Sequence, residues 1–181
     1  MTSVVLRRWL KVADPTALTA REALQRGLGL GRAVEEVHRS ELFALRWAGS
    51  VDGVPLVRQL AAKTNLLVNP NKHFLEVRAG EERLEPRGNL WVMIWTVGDG
   101  EALAETLERR NLLHGDTPRL RRALLWELQF SGEAGERRRR AESITWLRSR
   151  EEGLLANPEL QEAHIFEAAP GVLEIGDRLF S

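Results

Sequence analysis

One phrase occurs twice in this chain. Leu66-Leu67-Val68-Asn69-Pro70 and Leu154-Leu155-Ala156-Asn157-Pro158 each close an apolar stretch of helical character and open a short run that reads as a strand. Two copies of one small unit constrain the fold more than any single motif. A unit of half this length is marginal alone, because small domains bury a low fraction of their surface, so two such units have reason to pack together. The simpler alternative is one mixed α+β domain whose two phrases are chance helix endings.

The elements around the phrases come in matching order. Val4–Val12 is β-rich, and Asp14-Pro15 supplies a capping side chain followed by a ring suited to the first helical position. Ala17, Ala20, Leu24 and Leu28 then recur at helical spacing until Gly27, Gly29 and Gly31 end the helix. From Val37 the period becomes two, with Phe43, Leu45 and Trp47 on one face and Ala44 and Arg46 on the other, which predicts a half-buried strand. Pro55 is expected to begin a second helix with Val57, Leu60, Ala61, Thr64, Leu67 and Val68 as its buried stripe, and His73–Arg78 a last strand.

After a polar connector the order repeats. Leu90–Val97 is a strand, Gly98-Asp99-Gly100 a helix entry, and Ala102, Leu103 and Leu107 carry a helix. Trp126, Leu128 and Phe130 alternate with Glu127 and Gln129; Ile144, Leu147, Leu154 and Leu155 mark a second helix, and Ala163–Glu167 a final strand. Strand, helix, long strand, helix, strand is the order of a ferredoxin-like split βαβ. The expected domains are repeat 1 at 1–79, a linker at 80–89, repeat 2 at 90–168 and a C-terminal tail at 169–181. With half of each strand's residues facing a core, one sheet packed on another is the simplest way to bury the strand tryptophans.

Composition narrows the chemistry. Twenty-six basic residues balance 26 acidic ones, so no overall field draws in nucleic acid or an anionic membrane. Cysteine is absent, which excludes disulfides and thiolate nucleophiles and is compatible with a reducing cytoplasm, the expected location. No apolar run approaches the roughly 20 residues that span a bilayer, and the first residues do not read as a secretory leader. His38, His73, His114 and His164 lack metal-ligand spacing, although a twofold could bring His73 and His164 together. Gly27-Leu28-Gly29-Leu30-Gly31 follows a helix, so it is a breaker and not a phosphate loop. No catalytic residue, cofactor or metal site is expected. Arg137-Arg138-Arg139-Arg140 is a candidate docking patch, set among Glu133, Glu136 and Glu142 that favour a solvated, internally paired helix face.

These residues resemble the PurS family, the small accessory subunit of phosphoribosylformylglycinamidine synthase. Leu10-Lys11 and Asp14-Pro15 are similar to the family's Leu-Lys and Asp-Pro opening, Ala23-Leu24 falls in the following helix, and Val37–Trp47 follows its long strand. Both Asn-Pro phrases match its Leu-Leu-Ala-Asn-Pro ending, which Leu160 and Glu162 continue in the second copy. The chain departs from the pattern in several places. Thr16-Ala17 stands where the family has Gln-Gly, Ser40-Glu41 and Ala123-Leu124 replace its Gly-Lys, and Asp99-Gly100 replaces Asp-Pro. Family members are single modules that associate; here two are joined.

The resemblance implies an α+β protein of two ferredoxin-like modules related by a pseudo-twofold, with antiparallel sheets and helices on one face. It implies a non-catalytic assembly subunit in purine biosynthesis, with the synthase and glutaminase subunits as partners and self-association as in the family. Asp14, Pro15, Asn69, Pro70, Asn157 and Pro158 would then be caps, turns or interface positions. Two other readings use the same residues: a diverged relative serving another protein or a small ligand between the units, and an RNA-binding protein using the arginine cluster and tryptophans.

Overall fold

The computed structural model describes residues 1–110, 112, 118–147 and 153–181; the expected loop position of His114 lies outside them. The protein is α+β. Six strands among the described residues form one antiparallel sheet: β1 (Thr2–Leu10), β2 (Val34–Trp47), β3 (His73–Ala79), β4 (Leu90–Trp95), β5 (Arg119–Phe130) and β6 (Glu162–Phe166). Five α-helices stand among the described residues: α1 (Pro15–Glu22), α2 (Gly53–Lys63), α3 (Glu101–Arg109), α4 (Ala134–Thr145) and α5 (Val172–Leu179). The strand order is β3-β1-β2-β5-β4-β6. It is a single sheet and not two packed sheets, because the long strands β2 and β5 pair with each other over nearly their whole length.

Register then decides what each side chain faces. Phe43, Leu45 and Trp47 share a face with Leu120, Trp126 and Leu128 of β5, and α1 to α4 cover that face. The helices interlock across the seam. Ala17, Ala20 and Leu24 pack with α4 into the core formed mainly by β4 and β5, whereas Leu107 of α3 joins α2 over β1 and β2.

The opposite face corrects two expectations. Helices do not lie on one face only, and the segment after residue 168 carries the helix α5. Ile175, Leu179 and Phe180 bury Val5, Leu42, Ala44, Trp91, Met93 and Leu125 beneath them. Ala44 is therefore buried, not solvent-facing. The connector holds α5 in place: Leu84 N donates to Pro170 O at 3.0 Å and Val172 N to Glu82 O at 3.0 Å. Its Gly88 hugs the sheet so closely that a Cβ would come within 2.6 Å of Leu128 O.

Local signals explain most boundaries. Asp14 caps α1, accepting from the N–H groups of Thr16 (2.9 Å) and Ala17 (3.4 Å), and Pro15 is its first residue. α2 starts at Gly53 rather than Pro55, and ends at Lys63 as Thr64 turns extended; Leu67 and Val68 are buried without being helical. α4 ends at Thr145, so Leu147, Leu154 and Leu155 are not on it. The chain returns instead beside its last turn, with Ala156 N donating to Thr145 O at 2.7 Å.

The docking of α5 sets a measurable stability. Ile175 is fully buried on α5, so Ile175→Ala should cost about 2–5 kcal/mol in urea unfolding. A change below about 0.5 kcal/mol, the size of an ordinary surface effect, would mean that α5 is not seated on the sheet.

Candidate functional site

The sheet face under α1 to α4 carries charges where its apolar alternation should continue. Stepping back along β2 from Phe43 in phase gives Glu41 and Arg39; stepping along β5 from Leu120 gives Arg122; Arg8 stands opposite Glu41 on β1. These side chains line a polar furrow in the middle of the sheet, between the apolar core under α1 and α4 and the core under α2 and α3.

Glu41 is the hub. Its Oε2 accepts from Arg8 Nη2 at 2.9 Å and from Arg122 Nε and Nη2 at 3.2 and 2.9 Å. Burial alone would raise its pKa, but the two guanidinium groups outweigh that and hold the carboxyl below the usual glutamate range. Arg8 also donates through Nη1 to Leu67 O, stacks over Phe43 at 5.0 Å and keeps a buried Nε without a partner. Arg39 reaches the other way and donates from Nε to Asp14 Oδ2 at 2.9 Å. His73 stands at the same furrow, its pKa lowered by burial and by the nearby Arg8. Three adjoining hollows of about 300, 60 and 220 Å³ open along these residues.

The repeated phrases build the rims. Asn69 Oδ1 accepts from Asn71 N at 3.0 Å, its carbonyl accepts from His73 N at 2.9 Å, and Asn69 N donates to His73 Nδ1 at 3.2 Å. Asn157 repeats this with Glu159 N (3.0 Å), Gln161 N (2.9 Å) and Gln161 Oε1 (2.9 Å). Each phrase thus fixes one furrow side chain, His73 or Gln161. Pro70 and Pro158 follow the asparagines within these turns, and Pro15 sits in α1.

A second charged group lies on the other face, beneath the connector. Arg7, 1% exposed, reaches Glu127 Oε2 at 2.9 Å and Glu76 Oε2 at 2.6 Å. Ser40 Oγ donates to the other Glu127 oxygen, and Arg78 Nε and Glu85 N donate to Glu76 Oε1 at 2.8 and 2.9 Å. Alternation alone places Glu127 outward; the connector roofs it instead, at 0% exposure. With nearly every position filled from within the protein, this network holds four strands in register.

The remaining candidates are placed apart. His73 and His164 lie on β3 and β6, the two sheet edges, about 24 Å apart at the usual strand spacing, so no twofold unites them. Among the described residues no His, Asp and Glu side chains gather into a metal-holding group. In the arginine run, Arg137 donates to Gly132 O at 2.7 Å, Arg138 pairs with Glu142 (3.0 Å) and Glu167 (2.9 Å), and Arg140 pairs with Glu136 (2.6 Å). Arg139 alone of the four is exposed with no such contact among the described residues. No helix among the described residues is long and apolar enough to cross a membrane.

The furrow arginines and Glu41 left a readable trace, since they are charges in phase with an apolar stripe. Arg7 and Glu127 left none, because the connector and α5 that bury them lie far away in sequence.

No known family's sequence profile matches the chain, and no curated protein is similar to it.

Two outcomes check this electrostatic picture. Arg7→Leu takes the buried cation from between Glu76 and Glu127 and should cost about 3–5 kcal/mol, whereas Arg139→Gln should stay within about 0.5 kcal/mol; equal effects would contradict the assignment. Glu41 has a depressed pKa, so its contribution is complete above the ordinary glutamate range and is lost as pH falls through it and below. The stability difference between wild type and Glu41→Gln should hold from neutrality to about pH 5 and shrink below it. A difference independent of pH down to acid unfolding would rule that out.

Proposed function

We propose that the chain is a tandem PurS-like assembly subunit: two ferredoxin-like modules joined edge to edge about a pseudo-twofold near the Glu41–Leu124 pair. One observation carries this reading, the register of the sheet. The strand order reads the same from either edge when β1, β2 and β3 are exchanged for β4, β5 and β6. The shift that takes Phe43 to Trp126 also takes Arg39 to Arg122, and it converts the pair Phe43–Arg122 into the pair Trp126–Arg39. Leu6 lies between Phe43 and Val77, and Val92 between Trp126 and Ile165. Asn69 precedes Val77 by as many residues as Asn157 precedes Ile165. Independent strands of a single irregular domain have no reason to keep these correspondences.

On this reading the chain carries within itself a pairing that single modules make by association. Its role is non-catalytic, and by resemblance it bridges an ATP-dependent synthase subunit and a glutaminase subunit in purine biosynthesis. The polar groups at the seam are consistent with binding or stability, since Glu41 and Glu127 are each engaged by arginines. RNA binding draws less support: Trp47, Trp91, Trp95 and Trp126 are buried within the fold and cannot stack on bases, and three of the four clustered arginines are already engaged.

Affinity purification of the tagged chain from its own cells tests the partner assignment. Synthase and glutaminase components should co-elute in stoichiometric amounts. Recovery of the intact chain without either would remove the purine role, while leaving the symmetric scaffold to be judged by its structure.

A further inference from the structure

Asp14 and Asp99 stand before the first helix of their respective halves, yet they are used differently. Asp14 caps α1 and binds Arg39. At α3 the capping place belongs to Gly100, with φ 106°, where a Cβ would come within 2.8 Å of Leu120 Cδ2 and 2.9 Å of Arg121 Cα. Only glycine fits there, and Asp99 is displaced by one residue from the cap. Its carboxylate has no hydrogen-bond or ion-pair partner among the described residues, and it faces the furrow.

Free donors face the same space. Arg122 commits Nε and Nη2 to Glu41 and leaves Nη1, while Arg39 commits only Nε and leaves both terminal nitrogens. Arg122 and Asp99 both line the two larger hollows. The hollow of about 220 Å³ adds Arg39 and Gln161; that of about 300 Å³ adds Phe43, Leu66 and Leu103. Across the whole furrow, Arg8, Arg39 and Arg122 are balanced by Asp14, Glu41 and Asp99. A simple anion would meet the unpaired Asp99 carboxylate, and a simple cation would meet three guanidinium groups. A molecule carrying both charged groups on one carbon satisfies both walls.

We propose that the furrow binds a small α-amino acid with an aliphatic side chain. The carboxylate takes the free donors of Arg39 and Arg122, the ammonium group takes Asp99, and the side chain enters the hollow of Phe43, Leu66 and Leu103. The site draws on both halves of the chain, and it does not depend on the purine assignment, since it uses no partner protein.

Calorimetry and thermal shift on the full chain test this with three probes: L-leucine, its 2-oxo acid 4-methyl-2-oxopentanoate, and 3-methylbutylamine. L-Leucine should bind and raise Tm, and both truncated analogues should bind at least about tenfold more weakly, which corresponds to 1.4 kcal/mol. Asp99→Asn should abolish the preference for leucine over the oxo acid without lowering the Tm of the unliganded protein, because the Asp99 carboxylate makes no hydrogen bond or ion pair among the described residues. An oxo acid that binds the wild type as tightly as leucine would make this a plain anion site and overturn the proposal. So would the failure of leucine, isoleucine and valine to give any heat or shift.

Discussion

Pairing between β2 and β5 turns two three-stranded sheets into one of six strands, and most other features follow from it. A three-stranded sheet with two small helices buries too little surface to be secure alone. Joining the long strands removes two exposed edges at once and leaves only β3 and β6 open. It also places α1 over strands of the other half and α3 over those of the first. The register cannot drift, because a slip of one residue would turn Phe43, Leu45, Trp126 and Leu128 out of the helix-covered core.

The seam also explains why charge survives inside the sheet. The four layered helices gather into two groups, and a strip between the two apolar clusters separates them. Glu41, Arg8 and Arg122 occupy it and pair with one another, so part of the desolvation each suffers is offset by charge-assisted hydrogen bonds. On the reverse face the same middle strands hold Arg7 between Glu76 and Glu127, a group that ties β3, β1 and β5 together. Removing a member takes a close partner from a buried charge, which makes such networks costly to break.

Much of this was legible in the sequence, and the gaps have a common cause. The Asp14-Pro15 start of α1, the alternation of Phe43, Leu45 and Trp47, and the two Asn-Pro turns are local signals, set by capping, pleat and ring geometry. The cap and the turns form at those residues, and Phe43, Leu45 and Trp47 are buried as the period implies, although Ala44 between them is buried too. The helices end earlier than the spacing predicts, at Lys63 and Thr145, because apolar residues such as Leu67 and Leu155 are buried by the chain beyond the last helical turn. The expectation of two packed sheets fails for another reason. Periodicity says that a strand has a buried face, but not which element covers it, and here β2 and β5 meet edge to edge while α5 covers the back. Alternation with Trp126 and Leu128 gives no hint that Glu127 is an interior residue, since the connector that covers it is distant in sequence.

The continuous sheet is therefore the claim on which fold, furrow and proposed role all rest. Nuclear Overhauser contacts across the seam test it most directly, in the isotopically labelled full chain. Backbone contacts should link Arg39 with Trp126 and Phe43 with Arg122 in antiparallel register. If β2 and β5 show no contact with each other, or pair in another register, the shared sheet does not exist and the furrow between the halves goes with it.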